Sequence, residues 1–281
     1  MWFVHGWRLM NSSESLPLIA LWGPPRSGTT WLGQIFDSHP DVAYRYQPLF
    51  SYRFKGAVST DSSPAAVQNF LHELATSEDD FVLQSTKRTE GVVPVFTKHP
   101  PSRLVFKEVR YLQLTSHFLA TVPASRAIAI LRHPCATISS WLKTPREFRP
   151  EWDWRNEWRQ AQSKNLGRPE EYYGFERWQW AARHFLALAE AYPGRFTLIR
   201  YEDLVLFPER VVSVLFAQCG LNLPAQTVEF LRASQNREFE HPDSVFRKPD
   251  VKDRWQCELP VEVSEAILSE CKGTNLEQFC R

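Results

Sequence analysis

Between Leu18 and Thr30 the chain reads LIALWGPPRSGTT, and no other stretch limits the possible folds so tightly. The apolar run Leu18 to Trp22 is too short for a stable helix and fits a strand buried on both faces. Gly23-Pro24-Pro25 ends that run, and Trp31, Leu32, Ile35 and Phe36 then recur at helical spacing. Gly23 to Thr30 therefore has the spacing of a phosphate-cradling loop, GxxxxGK(S/T), with Thr29 in the lysine position. In nucleoside triphosphatases that lysine reaches the outer phosphates and the next hydroxyl holds magnesium, so its replacement argues against triphosphate chemistry. The cradle survives: N–H groups of Ser27, Gly28, Thr29 and Thr30 at a positive helix terminus, with Arg26 inside the loop, hold one phosphate without a metal ion.

The same grammar recurs. RLVFKE (103–108) reads as a strand leading into a helix near Gln113 to Thr121, and RAIAILR (126–132) as a strand before a helix from Pro134 to Lys143. RFTLIRY (195–201) precedes a helix over Pro208 to Gln218, with Val211, Val212, Leu215 and Phe216 as its apolar stripe. Strands alternating with helices predict an α/β chain: a three-layer fold of the P-loop type, its central parallel sheet flanked by helices, in one domain over residues 1–281.

Between Thr144 and Gly174 this pattern lapses into a Trp-, Arg- and Glu-rich insertion. It reads either as a lid or binding loop, with Trp152, Trp154 and Trp158 offering aromatic faces to a sugar ring or other planar acceptor, or as a helical segment capping the core. A second irregular stretch, Gln235 to Asp253, carries basic Arg247, Lys248 and Lys252, followed by Arg254.

With 43% hydrophobic and 23% charged residues the chain is not disordered, and 33 Lys plus Arg against 32 Asp plus Glu leave no field to gather nucleic acid. No apolar run approaches the ~20 residues that cross a bilayer, and His5, Gly6 and Arg8 break the amino end before a signal core forms. The expectation is a soluble, cytoplasmic protein. Its five cysteines contain no CxxC, so no zinc site or other metal centre is expected. Most of them read as buried thiols, with a Cys271–Cys280 bridge as the alternative.

A second anion feature is Arg132-His133-Pro134, where a strand ends and Pro134 suits the first helical position. Arginine grips phosphate with two prongs, and strand ends on one edge of a parallel sheet face one crevice. Arg26 and Arg132 are thus expected to converge on a ligand with two separated phosphates.

These motifs carry a resemblance. PPRSGTTWL (24–32) resembles the 5′-phosphosulfate loop of the sulfotransferase family, and ILRHPCATISSWL (130–142) its 3′-phosphate motif, with Ser140 eight residues after Arg132. HPDV (39–42), LIRYEDLVLFPE (198–209) and RKPDVKDRW (247–255) extend the likeness over most of the chain. By pattern it lies nearer the carbohydrate and tyrosylprotein branches than the small-phenol enzymes, whose loop has lysine where Arg26 stands. The resemblance implies 3′-phosphoadenosine 5′-phosphosulfate (PAPS) as donor and a hydroxyl-bearing acceptor, whether glycan, glycolipid, tyrosine or small alcohol.

It further implies that Arg26 and the N–H groups of Ser27 to Thr30 stabilise the leaving phosphate, and that Lys107 reaches the bridging oxygen. On the residues alone, a strand-end lysine in water is the alternative for Lys107. Arg132 and Ser140 are implied to select the 3′-phosphate, Tyr201 to contact the nucleotide, and Lys248 and Arg254 to close over it. In these branches the general base is a glutamate five residues after the valine of HPDV; here that position holds Gln47. Glu108 is the first substitute, although neighbours on a regular strand point to opposite faces. His39, His99, His133 and the acidic residues of the insertion are the others. Gln47 motivates a second reading, a nucleotide-binding pseudoenzyme; a nucleoside or shikimate-type kinase on the same loop is a third.

Overall fold

The computed structural model describes residues 16–236 and 253–281. Five strands, β1 (Leu18–Trp22), β2 (Val42–Tyr46), β3 (Arg103–Glu108), β4 (Arg126–Leu131) and β5 (Phe196–Arg200), form a parallel sheet in the order β2-β3-β1-β4-β5. Because side chains alternate along a strand, each apolar run feeds two cores at once. On one face Ile19, Leu21, Val105, Ile128 and Ile130 meet Leu32, Ile35 and Phe36 of helix α1 (Thr29–Asp37) and Val212, Leu215 and Phe216 of the helix Pro208–Gln218. On the other, Trp22, Leu104, Phe106 and Leu131 meet Phe118 of the helix Leu114–Thr121 and Trp178, Ala182 and Phe185 of the helix Phe175–Ala191. Trp22 packs edge-on against Phe106 with ring centroids 5.6 Å apart. Truncating a ring buried in this way costs about 3–5 kcal/mol. These are the three layers expected from the alternating pattern.

The chain crosses β1 between β3 and β4, so the turn after β1 lies between the carboxyl ends of its two neighbours. That is the switch point at which open parallel sheets bind ligands.

Several elements are absent from the sequence reading, two of them central to the core. Strand β2, VAYRY, carries a buried arginine: Arg45 donates to the carbonyls of Tyr44, Leu74 and Ala75, the last two closing the helix Pro64–Ala75. The helix Phe175–Ala191 supplies much of one core layer. Tyr201 also differs from expectation, opening a short helix, Tyr201–Leu206, instead of ending β5.

The Trp-rich insertion folds as a helical cap. Asp153 caps the helix Trp154–Gln160, Trp154 and Trp158 pack against the core, and Ala161 and Tyr173 are buried beside Trp141. Trp158 stacks on Phe175 at 6.1 Å, and the guanidinium of Arg159 lies 4.7 Å from the Trp158 ring. These faces are already covered, which corrects the picture of Trp154 and Trp158 as an open platform for a sugar. All five cysteines are free thiols, so the Cys271–Cys280 bridge is not formed. Among the described residues no helix is long and apolar enough to cross a membrane, and no group of three or more His, Cys, Asp or Glu side chains is placed to hold a metal ion.

Candidate active site

The loop after β1 is built around two glycines. A side chain at Gly23 would put its Cβ 2.6 Å from the Ile130 carbonyl oxygen, so β1 and β4 approach this closely only with glycine there. Gly28 caps α1 with φ +87°, and a Cβ on it would lie 2.4 Å from the Tyr201 ring. The Cδ2–Cε2 edge of the Tyr201 ring thus lies against the loop. Between the glycines, Arg26 adopts φ +69°, a conformation that costs a non-glycine residue of order 1–3 kcal/mol and persists where the surroundings over-determine it.

Those surroundings are the second arginine turn. Arg26 Nε donates to Ser140 Oγ at 3.1 Å, and Arg132 Nη1 lies 3.5 Å from the Arg26 carbonyl oxygen. The Arg132 guanidinium lies 5.0 Å from the centroid of the Tyr201 ring. Arg26, Arg132, Ser140 and Tyr201, from four separate segments, therefore meet at the carboxyl edge of β1 and β4. Ser27 is fully buried, and its Oγ has no hydrogen-bond partner among the described residues. A buried hydroxyl left so costs roughly 1–3 kcal/mol. Beside first-turn N–H groups without intrahelical acceptors, it fits an oxyanion donor site.

Lys107 comes from the other neighbour of β1, where it pairs with Leu21. Its residue is 1% exposed, its Nζ lies 3.4 Å from Thr30 Oγ1, and the Tyr46 ring centroid is 4.5 Å away. The ammonium that Thr29 replaces in the loop is thus brought back from the adjacent strand. A lysine trailing into water is excluded.

Glu108 goes the other way. Pairing continues through Trp22 and Glu108, so Lys107 and Glu108 point to opposite faces. Glu108 Oε1 accepts from the Leu49 N–H at 2.7 Å. Burial pushes the Glu108 carboxyl up to about 8, against the Leu49 N–H and the charges of Lys107 and Arg110, which pull it down. Fully buried and aimed to the face opposite Lys107, Glu108 would have to turn to reach an acceptor beside that ammonium.

Gln47 stands at the end of β2 with φ +41°, its N–H donating to the Lys107 carbonyl at 2.9 Å. Its Oε1 accepts from Arg110 Nη1 at 3.3 Å, and Arg110 Nε is 2.9 Å from Glu171 Oε1. The three histidines have other occupations. His39 bonds to Asn222, and His99 pairs with Asp41. His133 stacks on Trp255 at 4.6 Å and is held down to about 4, chiefly by burial. Arg254 is exposed and directly precedes Trp255, so it lies beside the Arg132 turn; Lys248 falls outside the described residues. One charged neighbour of the loop went unsingled in the sequence: Glu147 Oε2 lies 3.8 Å from Arg26 Nη1. Nothing in the pattern of the insertion marks it.

Comparison with known proteins gives a consistent result. A protein-tyrosine sulfotransferase of Drosophila melanogaster is 23% identical over 265 residues, covering 86% of this chain. The chain spans only 43% of that protein's length. Among solved structures, a mouse sulfotransferase complexed with PAP superposes with a TM-score of 0.55 at 14% identity, covering 94% of this chain and 90% of that one. A sulfotransferase from Alicyclobacillus acidocaldarius does so with a TM-score of 0.51 at 16% identity, covering 94% and 99%. At such identities the superpositions establish the fold alone. The model of the sulfotransferase family matches residues 17–225, from the strand before the loop to beyond Tyr201, and on that match the chain belongs to the sulfotransferase family.

Proposed function

We propose that the protein transfers a sulfuryl group from PAPS to a hydroxyl-bearing acceptor. The observation that carries this reading is the meeting of the two arginine turns, with Arg26 bonded to Ser140 at 3.1 Å. One bisphosphorylated nucleotide spans such a pair of anion grips, and the mouse relative was solved with PAP.

Sulfuryl transfer is an in-line displacement whose charge spreads over peripheral oxygens, so positioning and fixed charge contribute most. PAPS supplies an activated sulfuryl group whose departure leaves a phosphate. Ser27 Oγ and the N–H groups of Gly28, Thr29 and Thr30 hold that phosphate against the α1 terminus. Arg26 and Lys107 neutralise the charge that grows on it, Lys107 from within a dry pocket where the attraction is screened less than in water. Arg132 and Ser140 hold the 3′-phosphate, and Tyr201 fixes the nucleotide against Gly28. Arg254, exposed beside the Arg132 turn, adds positive charge on the same side. Gln47 takes no proton from the acceptor, whose hydroxyl proton passes to solvent water as the new S–O bond forms and the bond to the phosphate breaks. In a loose transition state the attacking hydroxyl carries little extra acidity until late, so the loss of a glutamate there costs less than in acyl transfer.

PAP is expected to raise the melting temperature of the protein in the presence of EDTA, and labelled sulfate from PAPS to appear on at least one member of a panel of glycans, glycolipids, tyrosyl peptides and small alcohols. No shift with saturating PAP would remove the basis of the reading. The engagement of Gln47 by Arg110 favours one rival, a protein that binds the nucleotide without transfer. It would give the thermal shift and no labelled product.

A further inference from the structure

An anion-binding loop is a poor place for a carboxylate, yet Glu147 stands there. Its Oε2 lies 3.8 Å from Nη1 of Arg26, whose Nε donates to Ser140. The placement is held from several sides. Glu147 N–H donates to the Thr144 carbonyl at 2.9 Å, and the Trp141 indole N–H donates to the Glu147 carbonyl at 3.3 Å. Phe148 packs edge-on against Trp141 at 5.4 Å. Trp141 and Ser140 are neighbours on the helix Pro134–Leu142, so the element that presents Ser140 also fixes Glu147. Tyr173 is buried close by, and burial with the Glu147 charge raises its phenol well above its ordinary value. Glu147 Oε2 is itself buried and has no hydrogen-bond partner among the described residues. The side chain as a whole is 27% exposed, and the oxygen kept from water is the one that faces Arg26.

From this geometry we propose that Glu147 is a positioning residue of the donor site. In the unliganded protein it holds the Arg26 side chain across to Ser140, and when the nucleotide binds it competes with the phosphate for the Arg26 guanidinium. This inference rests on the donor assignment made above. Acting through Arg26, Glu147 weakens the hold on the nucleotide and so speeds release of the spent product, a step that limits many enzymes. At a few ångströms, after screening by solvent and salt, one such charge is enough for a shift of about tenfold in affinity, about 1.4 kcal/mol.

The test is calorimetric titration of the full chain with PAP for wild type, Glu147→Gln, Glu147→Asp, Arg26→Ala and the double variant Arg26→Ala with Glu147→Gln. Glu147→Gln is expected to bind PAP about tenfold more tightly at low salt, with the gain shrinking as ionic strength rises. Glu147→Asp keeps the charge and is expected within about twofold of wild type, which a purely steric role would not yield. In the Arg26→Ala background the Gln substitution is expected to lose its effect, because the two residues act as one unit. Wild type that binds PAP beside a Glu147→Gln variant of equal or weaker affinity overturns the inference and leaves the donor assignment standing. Wild type that does not bind PAP overturns both.

Discussion

Lys107 Nζ stands 3.4 Å from Thr30 Oγ1, although the two residues are 77 positions apart, one at the end of β3 and the other in the first turn of α1. A phosphate loop that has given up its own lysine therefore still has an ammonium at its helical end, delivered by strand pairing. Lys107→Met is expected to lower single-turnover transfer from labelled PAPS by about 10²–10³-fold, the usual loss when a fixed charge at the reacting centre is removed. PAP binding should persist, since the loop and the Arg132 turn remain. Undiminished transfer by this variant would place the ammonium outside the chemistry.

Arg132 can be tested through the phosphate it selects. Lysine in its place keeps the charge but loses the planar fork, so Arg132→Lys is expected to weaken PAP binding by about tenfold or more. Binding of 5′-AMP, which lacks the 3′-phosphate, should stay within a few-fold. Equal losses for both nucleotides in competition titrations would mean that Arg132 serves the loop instead of the ligand.

At Gly28, φ +87° and the Tyr201 ring leave no room for a Cβ. Gly28→Ala is expected to destabilise the protein by about 2 kcal/mol or more in urea denaturation and to abolish the thermal shift with PAP. A variant as stable as wild type would show that the loop and Tyr201 relax more easily than their packing indicates.

Glu108 makes stability depend on pH in a definite direction. Its folded carboxyl titrates near 8 against an ordinary value of 4.5, so between these values the folded state binds more protons than the unfolded one. The contribution is fully present below about pH 4.5 and is lost as pH rises through 8. Glu108→Gln, neutral throughout, is expected to flatten the decline of the urea midpoint between pH 5 and about 9. Identical slopes for the two proteins would mean that Glu108 is ionised in the fold.

The loop, the sheet and the second arginine turn could be read along the chain because each is local: LIALW, its glycines and the α1 stripe lie within about twenty residues. Strand β2 escaped because Arg45 interrupts its apolar pattern, and only the ends of a distant helix reveal why a buried arginine is tolerated there. The roles of Lys107 and Glu108 turned on whether β3 was still paired at its last residue, which is a matter of register with β1. Glu147 could not be found at all from its neighbours in sequence, since what distinguishes it is a partner on the far side of the cleft.

The strand order has an evolutionary corollary. Arg26, Lys107 and Arg132 ride on three adjacent central strands, whereas residues 47–102 and 144–174 are long excursions anchored at the rim. Mutation can redraw the exposed positions of those excursions while their buried side chains and the three strand ends stay in place. Such a chassis lets descendants trade one recipient molecule for another in small steps, with the costly half of the chemistry never rebuilt.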